Sequence, residues 1–467
     1  MEAGVGARGP AGNPARSEDR EEVRDAPPEG RSCSLTTSRT HDDADCASVA
    51  ICSRVRVSGR ASGSPESSGA FLAGKGWGAW RGWWESPLEL EACVAGWCLR
   101  RRGETVDQWS SFAEAARELW TRRLDRTDRP WAIGWLGYEQ CGLLAGIAGL
   151  RAPPSGPCDG WWLIEPFRKG GPPRFSTRLL DQAPRLSCSL ADKSFRDQVA
   201  LIREHIAEGQ VYQVNLTRRF RAAPWSGGVQ PILATTVQGG APPYLSLFFH
   251  SSGELLCASM ELLLRRRGDL IETMPIKGTR PRGRDEAEDR RLTADLESDP
   301  KELAELAMIV DLERNDLGRV ARVGSVRVVD PGSVRSFPAV HHRIARIQAQ
   351  VDPSAPWWEL LAAVAPGGSV TGCPKIAAME LIAAIETTAR GPYTGALGVV
   401  TASGDVELAL PIRCAWSAEG GLEFAAGCGI VWQSDPHREE LESRLKVQRW
   451  LDLVESRGRR CDDLAQR

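Results

Sequence analysis

Apolar residues fall into three regimes along this chain. Residues 1 to about 68 hold few of them among Gly, Pro, Ser, Asp, Glu and Arg. Burial there cannot offset the entropy of ordering, so a disordered tail is expected over 1–68. From Phe71 to about 180 the apolar positions become regular, with Trp77, Trp80, Trp83 and Trp84 close together, and short strands and helices are expected. Gly134-Trp135-Leu136-Gly137-Tyr138 reads as a turn, and Ala152 to Pro173 as Pro/Gly-rich loop. After Ser187 the pattern sharpens. Ser194-Phe195-Arg196-Asp197 fits a capping box, Val199, Ile202 and Ile206 follow at helical spacing, and Gly209 supplies a stop. Val211 to Thr217 alternates like a strand, and Asp269 to Met274 is strand-like. A helix is expected over 296–310, where Leu303, Leu306 and Val310 share a face. Another runs from Pro374 to about Glu386. A last one opens at Pro436 behind the cap Asp435 and includes Leu441 and Leu445.

The 467 residues are enough for a sizeable core in a few domain-sized units. The net charge of −2 gives no basic field for nucleic acid or a membrane surface. Thirteen cysteines, without CxxC or a Cys/His cluster, read as free thiols in a reducing compartment rather than a disulfide framework or zinc site. The apolar run Trp135 to Leu150 is interrupted by Glu139 and Gln140, and the N-terminus lacks the apolar core of a signal peptide, so a cytoplasmic protein is expected.

Two features suggest chemistry. Lys277 lies in Pro275-Ile276-Lys277-Gly278-Thr279-Arg280, read as a tight Pro/Gly-bounded turn. A lysine there is a nucleophile if its amine is held neutral, and otherwise a solvated charge. Glu302 and Glu305 sit three apart on one expected helix, and Glu439 and Glu442 repeat the spacing on another. Two such helices can converge on a hard cation such as Mg²⁺, although such pairs are also ordinary solvated faces.

Longer strings decide more. Gly209-Gln210-Val211-Tyr212-Gln213-Val214-Asn215-Leu216-Thr217 comes first, then Pro275 to Arg280. Glu302-Leu303-Ala304-Glu305 follows, with Met308-Ile309-Val310-Asp311-Leu312-Glu313-Arg314-Asn315-Asp316-Leu317. Then come Gly368-Ser369-Val370-Thr371-Gly372-Cys373-Pro374-Lys375, Gly391-Pro392-Tyr393-Thr394-Gly395, Ile412-Arg413, and Gly427-Cys428-Gly429-Ile430-Val431 with Ser434-Asp435-Pro436. In this order the set resembles the chorismate-utilising enzymes, in particular component I of aminodeoxychorismate synthase and its relative anthranilate synthase, over about residues 190 to 455. Residues 70–180 match loosely. The resemblance implies an α/β fold of two large, mostly antiparallel sheets packed together with helices outside. It divides the chain into the tail, an N-terminal part over 69–185, a chorismate-binding catalytic region over 186–457 and a C-terminal tail over 458–467.

It also implies chorismate as substrate and Mg²⁺ as cofactor. The metal region would be Glu302, Glu305, Glu439 and Glu442, with Glu305 and Glu442 as direct ligands. The ring carboxylate would meet the metal, Gly278 and Thr279. The enolpyruvyl carboxylate would meet Tyr393, Arg413 and backbone donors near Gly427 and Gly429, and Thr371 joins the substrate set. Glu261, in Ser259-Met260-Glu261, is the candidate general acid, and His342 a possible acid or donor to the 4-hydroxyl. Three departures from the family pattern stand out: Met260 for proline, His342-Arg343-Ile344-Ala345 for His-Leu-x-Ser, and Leu445 where Asn is common.

Related isochorismate and salicylate synthases carry a water-activating lysine where this chain has Gln213, and a neutral amide is no general base near pH 7. Anthranilate synthases commonly have alanine where this chain has Lys277, and aminodeoxychorismate synthases lysine. The resemblance therefore implies covalent catalysis by Lys277 and a product, 4-amino-4-deoxychorismate, on the way to 4-aminobenzoate and folate. No glutamine amidotransferase module is visible in the sequence, so a glutaminase subunit, component II, is expected to supply ammonia, and a separate aminodeoxychorismate lyase to consume the product. Anthranilate synthase component I and a non-catalytic chorismate-binding homologue stay open as alternatives.

Overall fold

The computed structural model describes residues 68–465, apart from 74, 94–95, 124–126, 148–149, 151–159, 171–182, 226, 251–252 and 419. The expected tail over 1–68 thus lies outside the described residues except for its last position, as does half of the loop expected from Ala152 to Pro173; the other half is not loop throughout but holds the strands Gly160–Ile164 and Arg168–Gly170. The elements that frame the site are, in chain order, α1 (Asp192–Ala207), β1 (Gln213–Ala223), β2 (Leu270–Met274), β3 (Ile276–Pro281), α2 (Glu286–Ser298), α3 (Pro300–Gly318), β4 (Val340–Gln350), α4 (Lys375–Ile385), β5 (Gly421–Ile430), α5 (Pro436–Leu445) and α6 (Gln448–Ala465).

Two sheets, of ten and twelve strands, form the molecule. In the first, β1 pairs with β5 over nine positions, from Val214↔Ile430 to Ala222↔Leu422. In the second, β4 is flanked by β3 and β2. All these pairings are antiparallel. Strands from 69–185 and from 186–457 share both sheets, so the two stretches fold into one unit. Leu72, Phe248 and Leu255 of the first sheet pack with Trp135, Trp161 and Leu397 of the second, which seals their facing sides. On the outer side of β1 and β5, Phe195, Val199 and Ile202 of α1 and Met379 and Ile382 of α4 bury the opposite face. The expected α/β fold of two antiparallel sheets with outer helices is the observed one.

Several local expectations are corrected. Ala191, not Ser194, caps α1, so the helix begins two residues before the expected box. The helix expected over 296–310 is two helices. Asp299 is extended, accepts from the N–H groups of Lys301 and Glu302, and is followed by Pro300 at the first helical position. Leu306 and Val310 are buried there, but Leu303 is exposed. Pro374 caps α4 rather than opening it. Asp435 caps α5 as expected, yet α5 is not the last helix; Leu441 and Leu445 are exposed, and α6 runs on to Ala465, through the stretch set apart as a C-terminal tail. The expected turn at Gly134–Tyr138 is the end of strand Pro130–Leu136 and the start of helix Tyr138–Leu144. Cys93 and Cys98, brought together by a hairpin, form a disulfide, so the free-thiol reading fails for this pair. Among the described residues no helix is long and apolar enough to cross a membrane.

Arg390 ties the layers together. Its guanidinium is buried and donates to both carboxylate oxygens of Glu386, to Val370 O at 2.8 Å and to Asn215 O at 2.6 Å. Glu386 also accepts from Thr217 N on β1, and the Glu139 carboxylate accepts from the N–H groups of Arg390 and Gly391. Arg390→Met should leave Glu386 buried and uncompensated and cost ~3–5 kcal/mol of stability. Urea unfolding of both proteins checks this; an unchanged midpoint would show that the network is dispensable.

Candidate active site

The site gathers where β3 meets the ends of β1 and β5. Lys277 is not in a turn but on β3, at a bulge. Lys277 faces Arg343 and Thr279 faces the adjacent His342 on β4, so Gly278 is the extra residue. Gly278 has φ +78°, and a side chain there would run into Leu296 Cδ1 and the Glu302 carboxyl. The bulge lets the Lys277 amine reach across to the first sheet. A methyl on Gly429 would stand 3.2 Å from Lys277 Nζ and 3.3 Å from Gln213 Nε2, so glycine at 429 leaves room for both groups. Lys277 Nζ also lies 4.0 Å from Glu305 Oε2.

Gln213 is fully buried, and neither end of its amide has a hydrogen-bond partner in the protein. A buried amide in that state costs free energy unless a ligand or water meets it. Glu261 is also buried, and Ser369 Oγ donates to its Oε1 at 2.6 Å. Burial pushes its pKa up to about 7, against the pull of the Ser369 hydrogen bond and the Lys277 charge. Behind it Glu313 accepts from Thr273 Oγ1 at 2.7 Å, and burial together with the Glu261 charge takes it to about 8. Glu313 had no expected role. In the sequence it stands among Asp311, Arg314, Asn315 and Asp316, and only the fold shows that it points inward.

His342 lies 3.0 Å from Thr279 Oγ1 and 3.3 Å from Gly278 O through Nδ1. Burial, with the Arg413 charge, lowers its pKa to about 4, so the ring is neutral at pH 7. Nδ1–H donated to Gly278 O leaves Nε2 as an acceptor, whereas Nδ1 accepting from the Thr279 hydroxyl leaves Nε2–H as a donor.

The four glutamates come from two helices. Glu302 lies 3.8 Å from Arg280 Nη1, and Glu305 Oε1 is 3.6 Å from Lys301 Nζ. Glu439 accepts from Ser434 Oγ at 2.7 Å, and Glu442 pairs with Lys446 Nζ at 2.8 Å. The Lys301 ammonium feels all four carboxylates. Glu302 and Glu439 are raised chiefly by burial. For Glu442 burial also pushes upward, but Lys446 outweighs it and the pKa falls. Cys428 joins Glu439 and Glu442 in a group whose donor atoms lie within 4.8 Å of one another.

The remaining expected residues divide. Tyr393 is buried, and burial holds its hydroxyl up at about 12. Arg413 has φ +54°, and its Nη1 donates to Lys446 O. Lys446 Nζ in turn donates to Gly427 O at 2.8 Å, so Arg413, Lys446, Gly427 and Glu442 form one linked group. Gly427 faces Asn215 and Thr217 closely enough to exclude any side chain. Thr371 stands apart: it is fully buried, and its hydroxyl is spent on Gly367 O at 2.9 Å.

Comparison with known proteins fits this geometry. The chain is 41% identical over 271 residues to anthranilate synthase component 1 1 of Haloarcula marismortui, covering 58% of this chain and 55% of that protein. It is 36% identical over 278 residues to aminodeoxychorismate synthase component 1 of Bacillus subtilis, covering 59% of each. The match thus spans less than two thirds of these relatives' own length. The fold resembles crystal structures of anthranilate synthase component I from Streptococcus pneumoniae (TM-score 0.67, 23% identity, 90% of this chain and 100% of that one) and the menaquinone-specific isochorismate synthase of Escherichia coli (TM-score 0.61, 19%, 88% and 99%). Residues 172–452, more than half of the chain, match the family described as chorismate binding enzyme, and the protein belongs to that family.

Proposed function

We propose that this chain is component I of an aminodeoxychorismate synthase, which converts chorismate and ammonia to 4-amino-4-deoxychorismate for 4-aminobenzoate and folate biosynthesis. The observation that carries the reading is the Lys277 amine, delivered by the β3 bulge to the gap beside Gly429 and Gln213. Relatives of the anthranilate branch commonly have alanine at this place, and an alanine reaches nothing across that gap.

The steps follow from the residues around the amine. Lys277, having passed its proton to Glu305 4.0 Å away, attacks ring carbon 2, the double bonds shift, and the bond from carbon 4 to its hydroxyl breaks. Glu261, still half protonated near neutrality, gives its proton to the leaving oxygen, which departs as water. Ammonia then bonds to carbon 4 and loses a proton, the double bonds shift back, and the lysine nitrogen leaves carbon 2. Neutral His342 shares a hydrogen bond with a substrate hydroxyl through Nε2. Arg413 and Tyr393, with the N–H groups near Gly427 and Gly429, receive the enolpyruvyl carboxylate. The ring carboxylate meets Thr279 and the backbone at Gly278.

Glu302, Glu305, Glu439 and Glu442 fit a hard divalent cation, because all offer carboxylate oxygens, those of Glu439 and Glu442 lie within 4.8 Å of one another, and the Lys301 ammonium is already drawn to all four. Mg²⁺ held there would supply positive charge for the ring carboxylate. Glu305 is both a ligand candidate and the charge partner of Lys277, so metal occupancy and the environment of the amine are linked. Ammonia is supplied by a glutamine amidotransferase subunit, and an aminodeoxychorismate lyase acts on the product.

A second reading, anthranilate synthase component I, is favoured by the name carried by the 41% identical relative and by others at 36–39% identity. The product decides. Protein, chorismate, Mg²⁺ and ammonium should give a compound with the mass of aminodeoxychorismate that a lyase converts to 4-aminobenzoate; anthranilate instead would establish the second reading. Lys277→Ala should lower formation of that product by orders of magnitude, each ~1.4 kcal/mol of barrier being tenfold, with little change in chorismate affinity. A wild-type rate in this variant would make the lysine a bystander.

Glu261 fixes a pH limb. At constant free ammonia, kcat/KM should fall as pH rises through about 7, because the acid form is lost. Glu261→Gln should be slower by ~10²-fold or more and flat over that range; a variant retaining the limb would assign it to another group. For the cation, Glu305→Gln and Glu442→Gln should each abolish turnover and Mg²⁺ binding by calorimetry while leaving the circular dichroism spectrum intact. Full turnover in excess EDTA would remove the metal from the mechanism.

A further inference from the structure

Lys301 has no evident purpose on its own helix. It is the second residue of α3, directly behind the Asp299 cap and Pro300. A cation there faces the positive end of the helix dipole, which is unfavourable. Its carboxylate partner, Glu305, is four residues on, and Lys before Glu is the weaker order for such a pair. The side chain is 58% exposed and, among the described residues, makes no hydrogen bond, its nearest contact being Glu305 Oε1 at 3.6 Å. Stability of α3 therefore does not account for it.

Its position relative to the second helix does. The ammonium lies 3.6 Å from Glu305 Oε1, belongs to the residue directly before Glu302 in sequence, and is within electrostatic reach of Glu439 and Glu442 of α5 as well. Other cations near these groups are held elsewhere. Lys446 is fixed by Gly427 O and Glu442, Arg280 by Asp295 and Asp299, and Lys277 lies on the far oxygen of Glu305. Lys301 is the member of the set on a long, exposed stem that can swing into water without breaking a hydrogen bond or opening the core.

We propose that Lys301 is a built-in counter-ion of the carboxylate cluster. It neutralises the cluster when no divalent cation is bound and competes with the metal for the same place, so it sets metal affinity. The ammonium and a metal ion on the same carboxylate, Glu305, repel each other, so the arriving cation expels the ammonium, which no hydrogen bond holds, to solvent. This rests on the metal-binding role of the four glutamates proposed above.

The test uses the full chain and Mg²⁺ alone. Lys301→Met keeps the stem and removes the charge. By calorimetry it should bind Mg²⁺ at least ~10-fold more tightly than wild type, and its metal-free form should melt at a lower temperature with a larger rise on adding Mg²⁺. In the wild-type protein, acetylation of Lys301 by an N-hydroxysuccinimide ester, read on its peptide by mass spectrometry, should speed up when Mg²⁺ is added. Equal Mg²⁺ affinity in variant and wild type, or Lys301 labelling indifferent to Mg²⁺, would overturn the proposal while leaving the metal site standing. If wild type shows no Mg²⁺ binding, or Glu305→Gln binds as wild type does, the metal reading fails and the counter-ion role with it.

Discussion

The structure depends on a buried charge pair, Arg390 with Glu386. A guanidinium deprived of water is tolerated only when its donors are satisfied, and here they reach Glu386, Val370 O and Asn215 O. Each acceptor belongs to a different piece of the molecule: the end of α4, the turn before it, and β1. Glu139, just after a strand of the second sheet, then closes on the N–H groups of Arg390 and Gly391. One residue therefore spans the spacing between two sheets, its guanidinium bonded to β1 and its main-chain N–H to Glu139. Tyr138 lies under the guanidinium at 4.5 Å and completes the seal.

That spacing makes the site possible. With the first sheet held against the second, Lys277 on β3 can span to Gly429 on β5 beside the amide of Gln213 on β1. Glycine at 429 and 278 is a steric requirement of that approach, not a matter of flexibility. The same confinement explains the proton balance. Glu261 and Glu313 are buried, so burial holds both as acids near neutrality, and the Glu261 charge raises Glu313 further. His342, buried beside Arg413, is driven the other way and stays neutral. Acid and neutral ring are thus separated by environment rather than by residue type.

The carboxylates show the complementary constraint. Four acidic groups cannot face one another without compensation, and the protein supplies it from several directions, with Lys277, Lys301, Lys446 and Arg280 each near one of them. Three of these cations are anchored by other contacts or enclosed by the site, and Lys301 is not. That difference is what the proposed exchange of a side-chain charge for a metal ion rests on.

What the sequence determined by itself were features carried by short stretches. The Asp435 cap, the helix behind Pro374, the strand after Val211 and the ordered strings that mark the family depend on neighbours within about ten residues, and the antiparallel two-sheet fold came with those strings. The reach of Lys277 was decided elsewhere. The stretch Pro275 to Arg280 reads as a turn because it is bounded by Pro and Gly, and pairing with β4 made it a bulged strand. Asp299 and Pro300 split one apolar period into two helices, since a cap and a fixed φ override the periodicity that continues through them. The inward aim of Glu313, the unpartnered Gln213 amide, the lowered pKa of His342 and the charges around Lys301 all arise from contacts between residues far apart in the chain. Burial and charge at those positions come from the packing of two sheets and their helices, which no local pattern of residues contains.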